Sequence, residues 1–275
     1  AFSLESVADE VIFVAGPVLV TLLATEVYPA SGIAVAAATC LAGTLLFAAQ
    51  QATEPPLYPA HSGGPVPGAG RRVGGRLLPA RGLVTLAPVF LFFGAMLAAI
   101  DLATVDFAAG HGHKPLAGAI LGGYALGSMV GGLWYGARAW RAPLRRRFMV
   151  TVCAMAAGTA TFWAMPGLAA LSAVMFLSGL VLSPMLITGF SLIEQQARPG
   201  RLTEAMAWLT SALAVGTAAG SAAAGQVIDV GGARWGYTLA AACGAGAALA
   251  CLVGLTWLTE PSPQPSPAAR SEVSP

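Results

Sequence analysis

One acidic residue, Asp101, lies inside a long apolar stretch of the sequence and could support chemistry there. The stretch runs from residue 82 to about residue 106, and Asp101 falls roughly 10 Å beyond its middle at the helical rise per residue. A carboxyl group inside a membrane span is costly to maintain and usually functional, because it can carry a proton or bind a cation. The alternative is a solvated helix end, which applies more strongly to Asp106.

Few other residues could support catalysis or bind a metal. His111 and His113 form a close pair without a third ligand nearby, so a polar loop is favoured over a metal site. The sequence shows no serine–histidine–aspartate grouping, no paired catalytic carboxylates and no phosphate-binding glycine loop. We therefore expect neither an enzyme nor a protein that needs a metal or another cofactor.

The composition indicates that Asp101 is carried by a membrane-spanning helix. Of the 275 residues, 56% are hydrophobic and 9% are charged, with a mean hydropathy of +0.73. Soluble domains carry about 25% charged residues. The net charge of +2 is too small to indicate nucleic acid as a partner. We expect an all-α, polytopic protein whose surroundings are a lipid bilayer.

Apolar segments separated by turn residues and charges predict eight transmembrane helices. Residues 148–193 carry no charge and are too long for one helix, so we divide them at Met165-Pro166-Gly167. Pro184 should kink the second of these two spans. The predicted spans cover residues 4–25, 33–51, 82–106, 115–137, the two parts of 148–193, 202–228 and 235–259.

A linker divides the predicted spans into two groups. Residues 52–80 are rich in proline, glycine and arginine and separate two spans within residues 1–51 from six spans within residues 81–259. Residues 260–275, rich in proline and serine, predict a disordered tail. With the linker placed in the cytoplasm, twelve of the fourteen basic residues fall inside and only Lys114 and Arg234 outside. We therefore expect a cytoplasmic linker and C-terminus.

The fourth predicted span combines glycines spaced for close helix packing with arginines at its end. Small residues four apart let two helices approach closely in lipid. The glycines concerned are Gly123, Gly127, Gly131, Gly132 and Gly136. The arginines follow directly, at positions 138, 141 and 145–147.

These features together resemble the major facilitator superfamily. The linker falls where the central loop of the family would lie. The motif GLWYGAR at residues 132–138, with arginines at 145–147, is similar to the second copy of the family signature Gly-x-x-x-Asp-Arg, and Gly136 stands where the acid would be. Gly16-Pro17 is similar to the Gly-Pro of the family's antiporter signature, whose flanking glycines are missing here.

The resemblance implies a chain that begins at the fifth of twelve helices and lacks the first four. Residues 1–51 would then be the last two helices of the N-terminal six-helix half, and residues 81–259 the C-terminal half. Such halves rock about a central site and move a small molecule by alternating access, driven by an ion gradient. Asp101 would face the central cavity and couple transport to a proton or another ion.

Within this class we expect proton-coupled efflux of a drug or metabolite through a bacterial cell membrane. The alternative within the class is a carrier for sugar or metabolite uptake. The alternative from another class is a membrane protein that does not transport, either a truncated product or a scaffold.

The resemblance also gives roles to charged residues near the predicted helix ends. Glu5 and Asp9, four residues apart, share one face of the first predicted helix. In the family the loop equivalent to the arginine segment packs against this helix, so we hypothesise that both carboxylates pair with arginines such as Arg138 and Arg145 to close a cytoplasmic gate. Solvated interfacial carboxylates are the alternative. Glu204 either joins this gate or only favours the N-terminus of its own helix.

Overall fold

The computed structural model describes residues 30–50, 81–197 and 201–254, together with a few positions between Ile12 and Tyr28. Every regular element in these residues is helical. Helix α1, Ser31–Ala48, belongs to one compact unit, and all other described helices belong to a second. The second unit contains α2 (Arg81–Gly110), α3 (Leu116–Gly136), α4 (Leu144–Thr159), a short 3₁₀ helix (Phe162–Ala164), α5 (Leu168–Gly179), α6 (Leu182–Gln196), α7 (Leu202–Gly231) and α8 (Ala233–Gly254).

Six helical segments in the described part of the chain are long and apolar enough to cross a bilayer. They are α1, α2 from Gly82, α3, the α5–α6 pair, α7 and α8. The multi-pass membrane class is therefore confirmed, whereas the predicted number of eight spans is not. The first predicted span, residues 4–25, lies largely outside the described residues. The fifth is α4, whose 16 residues extend about 24 Å, less than the hydrocarbon core of about 30 Å.

Helix α4 begins earlier than the charge pattern predicted. It starts after Pro143, so Arg145, Arg146 and Arg147 occupy its first turn instead of a loop. The prediction placed the start at Phe148 because the charge-free stretch begins there. Arginine is a good helix former, and its charge does not prevent it from extending a helix beyond the apolar segment.

The span that continues from α5 into α6 is broken just before Pro184. Helix α5 ends at Gly179 and α6 begins at Leu182, and between them the Val181 N–H donates to the Ser178 carbonyl at 3.2 Å. Pro184 therefore lies in the first turn of α6. The N–H groups of a first turn have no helical carbonyl to bond, so the missing N–H of proline costs no hydrogen bond there. The predicted kink is present as a break on the N-terminal side of the proline.

Helix α2 is the central helix of the second unit. It packs mainly against α7 and α8. In the most apolar 18-residue stretch of α2, 67% of the residues are buried, compared with 17% in the corresponding stretch of α7. Phe90, Phe93 and Ile100 are fully buried side chains of this helix. A functional side chain on α2 is therefore positioned by a tightly packed helix.

Backbone contact at glycines brings α7 directly against α2. A Cβ atom at Gly216 would fall on the carbonyl of Leu91, and one at Gly220 would fall on the backbone of Ala95. Neither position has room for a side chain. Such contacts supply the dispersion packing that holds helices together in lipid, where apolar side chains gain little from leaving the lipid tails.

A buried hydrogen bond between hydroxyl groups joins α2 to α8. The Thr104 and Tyr237 hydroxyl oxygens are 3.0 Å apart, and Thr104 Oγ1 lies 2.7 Å from the Ile100 carbonyl oxygen. A carbonyl can only accept, so Thr104 donates to Ile100 and accepts the proton of Tyr237. Replacement of the Thr104 hydroxyl should therefore leave the Tyr237 hydroxyl unpaired, whereas replacement of the Tyr237 hydroxyl should leave Thr104 bonded to Ile100.

We expect Thr104→Val to destabilise the protein more than Tyr237→Phe. The first change leaves the buried tyrosine hydroxyl without a partner and should cost about 2 kcal/mol, whereas the second leaves Thr104 bonded to Ile100 and should cost about 1 kcal/mol. Thermal unfolding of the purified variants in one detergent measures both. Equal losses, or a larger loss for Tyr237→Phe, would contradict the assigned donor direction.

Candidate functional site

Asp101 lies on an exposed face of α2 together with Leu102 and Val105. It precedes Gly110, the last residue of α2, by nine residues, which places it about 13 Å from that end and about 8 Å from the helix midpoint. A carboxylate at this depth cannot face hydrocarbon without a large cost. This face of α2 therefore requires water or polar groups beside it.

The other carboxyl groups of the described residues all lie close to helix ends. Asp106 is four residues from the end of α2. Glu194, Glu204 and Asp229 are each two residues from an end of α6 or α7. Within the described ranges, Asp101 is thus the carboxyl group placed deepest inside a membrane-length helix.

Tyr124 on α3 is buried, with its ring beside Gly179 of α5. It lies close enough to Asp101 for the two side chains to interact electrostatically. The Tyr124 hydroxyl has no hydrogen-bond partner among the residues that the structure describes. An unpaired buried hydroxyl is unfavourable by about 1–3 kcal/mol, so a water molecule or a ligand group that bonds to it would be stabilised. Sequence reasoning missed Tyr124, because nothing in its own segment indicates a partner on α2.

The predicted gate residues are only partly placed by the structure. Glu5 and Asp9 lie outside the described residues, so their pairing with the arginine segment stays a prediction. Glu204 forms an ion pair with Arg201 at 3.5 Å, within the N-terminal turn of α7. Both side chains are about half exposed, and such a surface pair contributes little to stability.

Aromatic rings hold Arg138 at the connection between α3 and α4. Its guanidinium carbon lies 5.6 Å from the Trp134 ring centre and 5.5 Å from that of Trp140. Trp140 in turn stacks on Tyr135 with ring centres 4.8 Å apart and donates its indole N–H to the Tyr135 carbonyl at 2.9 Å. These four residues and Arg147 form what we term the aromatic–arginine cluster.

Arg147 ties this cluster to the first turn of α4. Its guanidinium donates to the Tyr135 hydroxyl at 2.7 Å and lies 5.6 Å from the centre of that ring. Gly136, which stands in place of the signature acid, is exposed and has no atom within 4 Å of a Cβ built on it. The connection is therefore held by arginine–aromatic contacts where the signature would place an acid. Arg145 is half-buried in the first turn of α4.

Sequence reasoning named Arg138 as a gate residue and did not identify the aromatic rings that surround it. The aromatic residues alternate with arginines in the run WYGARAWR at residues 134–141. That alternation was the available signal for cation–π contacts.

The glycines of α3 fall into two groups. A Cβ at Gly127 would fall on the Phe176 carbonyl, and one at Gly131 would fall on the Leu180 carbonyl, so α3 and the end of α5 are in backbone contact there. Gly123, like Gly136, has no atom within 4 Å of an added Cβ in the described part of the chain. Gly132 is half-buried. A packing role for Gly123, Gly132 and Gly136 stays a prediction.

His111 serves as part of a helix end. Its Nδ1 lies 2.8 Å from the Phe107 carbonyl oxygen, and its ring packs on the Phe107 ring at 4.4 Å between centres. Gly112 follows with φ of 73°, which permits the sharp turn out of α2. Among the described residues, no group of three or more potential metal ligands is close enough to hold an ion.

Comparisons with known proteins give one family. The family model described as Major Facilitator Superfamily matches residues 86–275, more than half of the chain. The matched region contains Asp101, Tyr124 and the aromatic–arginine cluster. No curated protein and no solved structure matches the chain.

Proposed function

Because the chain belongs to the Major Facilitator Superfamily, we propose that it is part of a secondary transporter that exports a lipophilic cation in exchange for protons. The family supports membrane transport by alternating access, in which two helical halves expose a central site to one side at a time. We infer the chemistry of the substrate and the coupling ion from the residues proposed for that site.

The position of Asp101 carries this proposal. It is exposed, lies at membrane depth, and interacts electrostatically with Tyr124, whose hydroxyl has no hydrogen-bond partner among the described residues. A carboxylate there is tolerable only beside a water-filled cavity or a polar partner. We therefore assign the face of α2 that bears Asp101 to the central cavity.

One carboxyl group can exchange a cation for a proton by simple competition. Asp101 binds the cation as a carboxylate and is neutral when protonated, so the two forms exclude each other. The proton leaves to the water on one side when the cation binds, and a proton from the other side displaces the cation. Leu102 and Val105 share the exposed face and supply apolar contact, which favours an organic cation over a small hydrated ion.

The distribution of charge supports an orientation. The arginines of the α3–α4 connection, together with Arg201 at the start of α7, lie at one end of the helices, and Lys114 and Arg234 lie at turns of the other end. The positive-inside rule assigns the arginine-rich end to the cytoplasm. We accordingly propose that residues 52–80 are a cytoplasmic linker between a half that ends with residues 1–51 and a half formed by residues 81–259.

Ethidium transport in inverted membrane vesicles tests this function. Vesicles that contain the complete gene product should accumulate ethidium when their lumen is acidified, and an uncoupler should abolish accumulation. Vesicles without the protein are the control. Ethidium movement that is insensitive to the uncoupler, or accumulation of ethidium and tetraphenylphosphonium no greater than in the control, would overturn the proposal. Accumulation in right-side-out vesicles would show uptake instead of export.

A further inference from the structure

The α3–α4 connection presents a concentrated positive surface. Five arginines lie within residues 138–147, and Arg138, Arg141 and Arg146 are exposed. None of these arginines has a carboxylate within ion-pair distance in the part of the chain that the structure describes, where the ion pair present is Arg201–Glu204. We term Arg138, Arg141 and Arg146 the arginine surface.

The arginine surface lies at the level of a bilayer interface. Helix α3 is membrane-length and ends at Gly136, two residues before Arg138. In its last turn Leu133 is 47% exposed and Trp134 is 57% exposed, as expected of side chains that contact lipid. Tryptophan is enriched where acyl chains meet headgroups. The guanidinium groups that follow are therefore at the depth of lipid phosphates.

The rings of the aromatic–arginine cluster contact Arg138 in a way that leaves its hydrogen-bonding capacity unused. A cation–π contact attracts the charge of the guanidinium and does not satisfy its five N–H donors. Trp134 and Trp140 hold the Arg138 guanidinium, and no hydrogen bond from it to another described residue is present. Arg147 Nε is also buried and without a partner among the described residues. The Arg138 guanidinium and Arg147 Nε are thus preorganised donors for which the described residues supply no acceptor.

We propose that the arginine surface and the cluster bind the phosphate of an anionic phospholipid headgroup. Arg138 presents a fork of N–H groups that matches a phosphate oxygen pair, and Arg141 and Arg146 supply further positive charge. A lipid also places acyl chains against Leu133 and Trp134, which a free phosphate ion cannot do. Clusters of basic residues next to a membrane helix gain about 1 kcal/mol per residue at an anionic membrane surface.

Native mass spectrometry of the complete protein in detergent tests this proposal. We expect one phosphatidylglycerol molecule to be retained with an affinity about tenfold or more above that of phosphatidylcholine. The triple variant Arg138→Gln/Arg141→Gln/Arg146→Gln should lose this preference. Arg234→Gln removes an exposed arginine at the opposite end of the helices and should keep it, as a matched control.

Further measurements separate headgroup binding from other causes. Far-UV circular dichroism should show equal helix content in the triple variant, and Arg138→Lys, which keeps the charge but lacks the fork, should bind with intermediate affinity. Equal retention of the two lipids by the unmodified protein, or an unchanged preference in the triple variant, would overturn the proposal. Displacement of the lipid by inorganic phosphate at equal concentration would assign the site to a free anion, and a misfolded triple variant would leave Arg138→Lys as the deciding comparison.

Discussion

Gly131→Ala will destabilise the protein by about 2–3 kcal/mol, the cost of overpacking a close contact. An added Cβ would fall on the Leu180 carbonyl, and this atom belongs to the backbone at the break between α5 and α6. A backbone carbonyl cannot move away as a flexible side chain can. Helices α3 and α5 must therefore separate and lose packing along their whole contact. Thermal unfolding in detergent, or the yield of folded protein, measures the loss.

Gly123→Ala is the matched control for this prediction. It makes the same chemical change two turns earlier on α3, where no atom lies within 4 Å of the added Cβ in the described part of the chain. We expect its stability to be unchanged or slightly higher, since alanine favours helix over glycine by up to about 1 kcal/mol. Equal unfolding temperatures for the two variants would show that α3 and α5 are not in backbone contact.

Asp101→Asn will abolish proton-driven ethidium transport and weaken ethidium binding about tenfold or more. Asparagine keeps the shape of the side chain but can neither carry the negative charge nor release a proton. Loss of one partner from a desolvated charge pair costs about 2–5 kcal/mol, which corresponds to more than tenfold in affinity. Transport by inverted vesicles and equilibrium binding by fluorescence measure the two effects separately.

Asp106→Asn provides the control on the same helix. Asp106 is half-buried near the end of α2 and has no part in the proposed exchange, so its variant should retain both binding and transport. If Asp106→Asn loses transport while Asp101→Asn retains it, the coupling carboxyl has been assigned to the wrong residue.

The bounds of a helix could be predicted where charged or turn residues lie at its ends. Observed α2, α3 and α8 lie close to the predicted spans 82–106, 115–137 and 235–259, because glycine, proline and charged residues mark their ends. The same reasoning failed for α4, where Arg145 lies within the helix and only the apolar segment begins at Phe148. Charge marks where a chain leaves the hydrocarbon, and a helix can continue beyond that point.

The glycine pattern predicted a face of α3 but not the extent of its contact. A four-residue period places Gly123, Gly127 and Gly131 on one side of the helix. Two straight helices that cross stay in backbone contact over only a few turns, and α5 meets α3 at Gly127 and Gly131. The point of crossing depends on the break after Gly179, which the local sequence near α3 does not encode.

Sequence reasoning predicted Asp101 of the candidate site but not the residues that surround it. The depth of Asp101 follows from the sequence, since it requires only a count along an apolar segment. Tyr124 and the ring contacts of Arg138 depend on tertiary structure, in which residues from different helices or from both sides of a turn come together. Glu5 and Asp9 lie outside the described residues, so their gate stays a hypothesis.

Proton release on ethidium binding tests the central claim most directly. The complete protein is purified in detergent, and ethidium is added in weakly buffered solution with a pH indicator, across a series of starting pH values. Competition at one carboxyl group predicts release of up to about one proton per ethidium bound, because linked ligands affect each other reciprocally. Asp101→Asn should release none. Ethidium binding without proton release, or the same release from Asp101→Asn, would contradict exchange at Asp101.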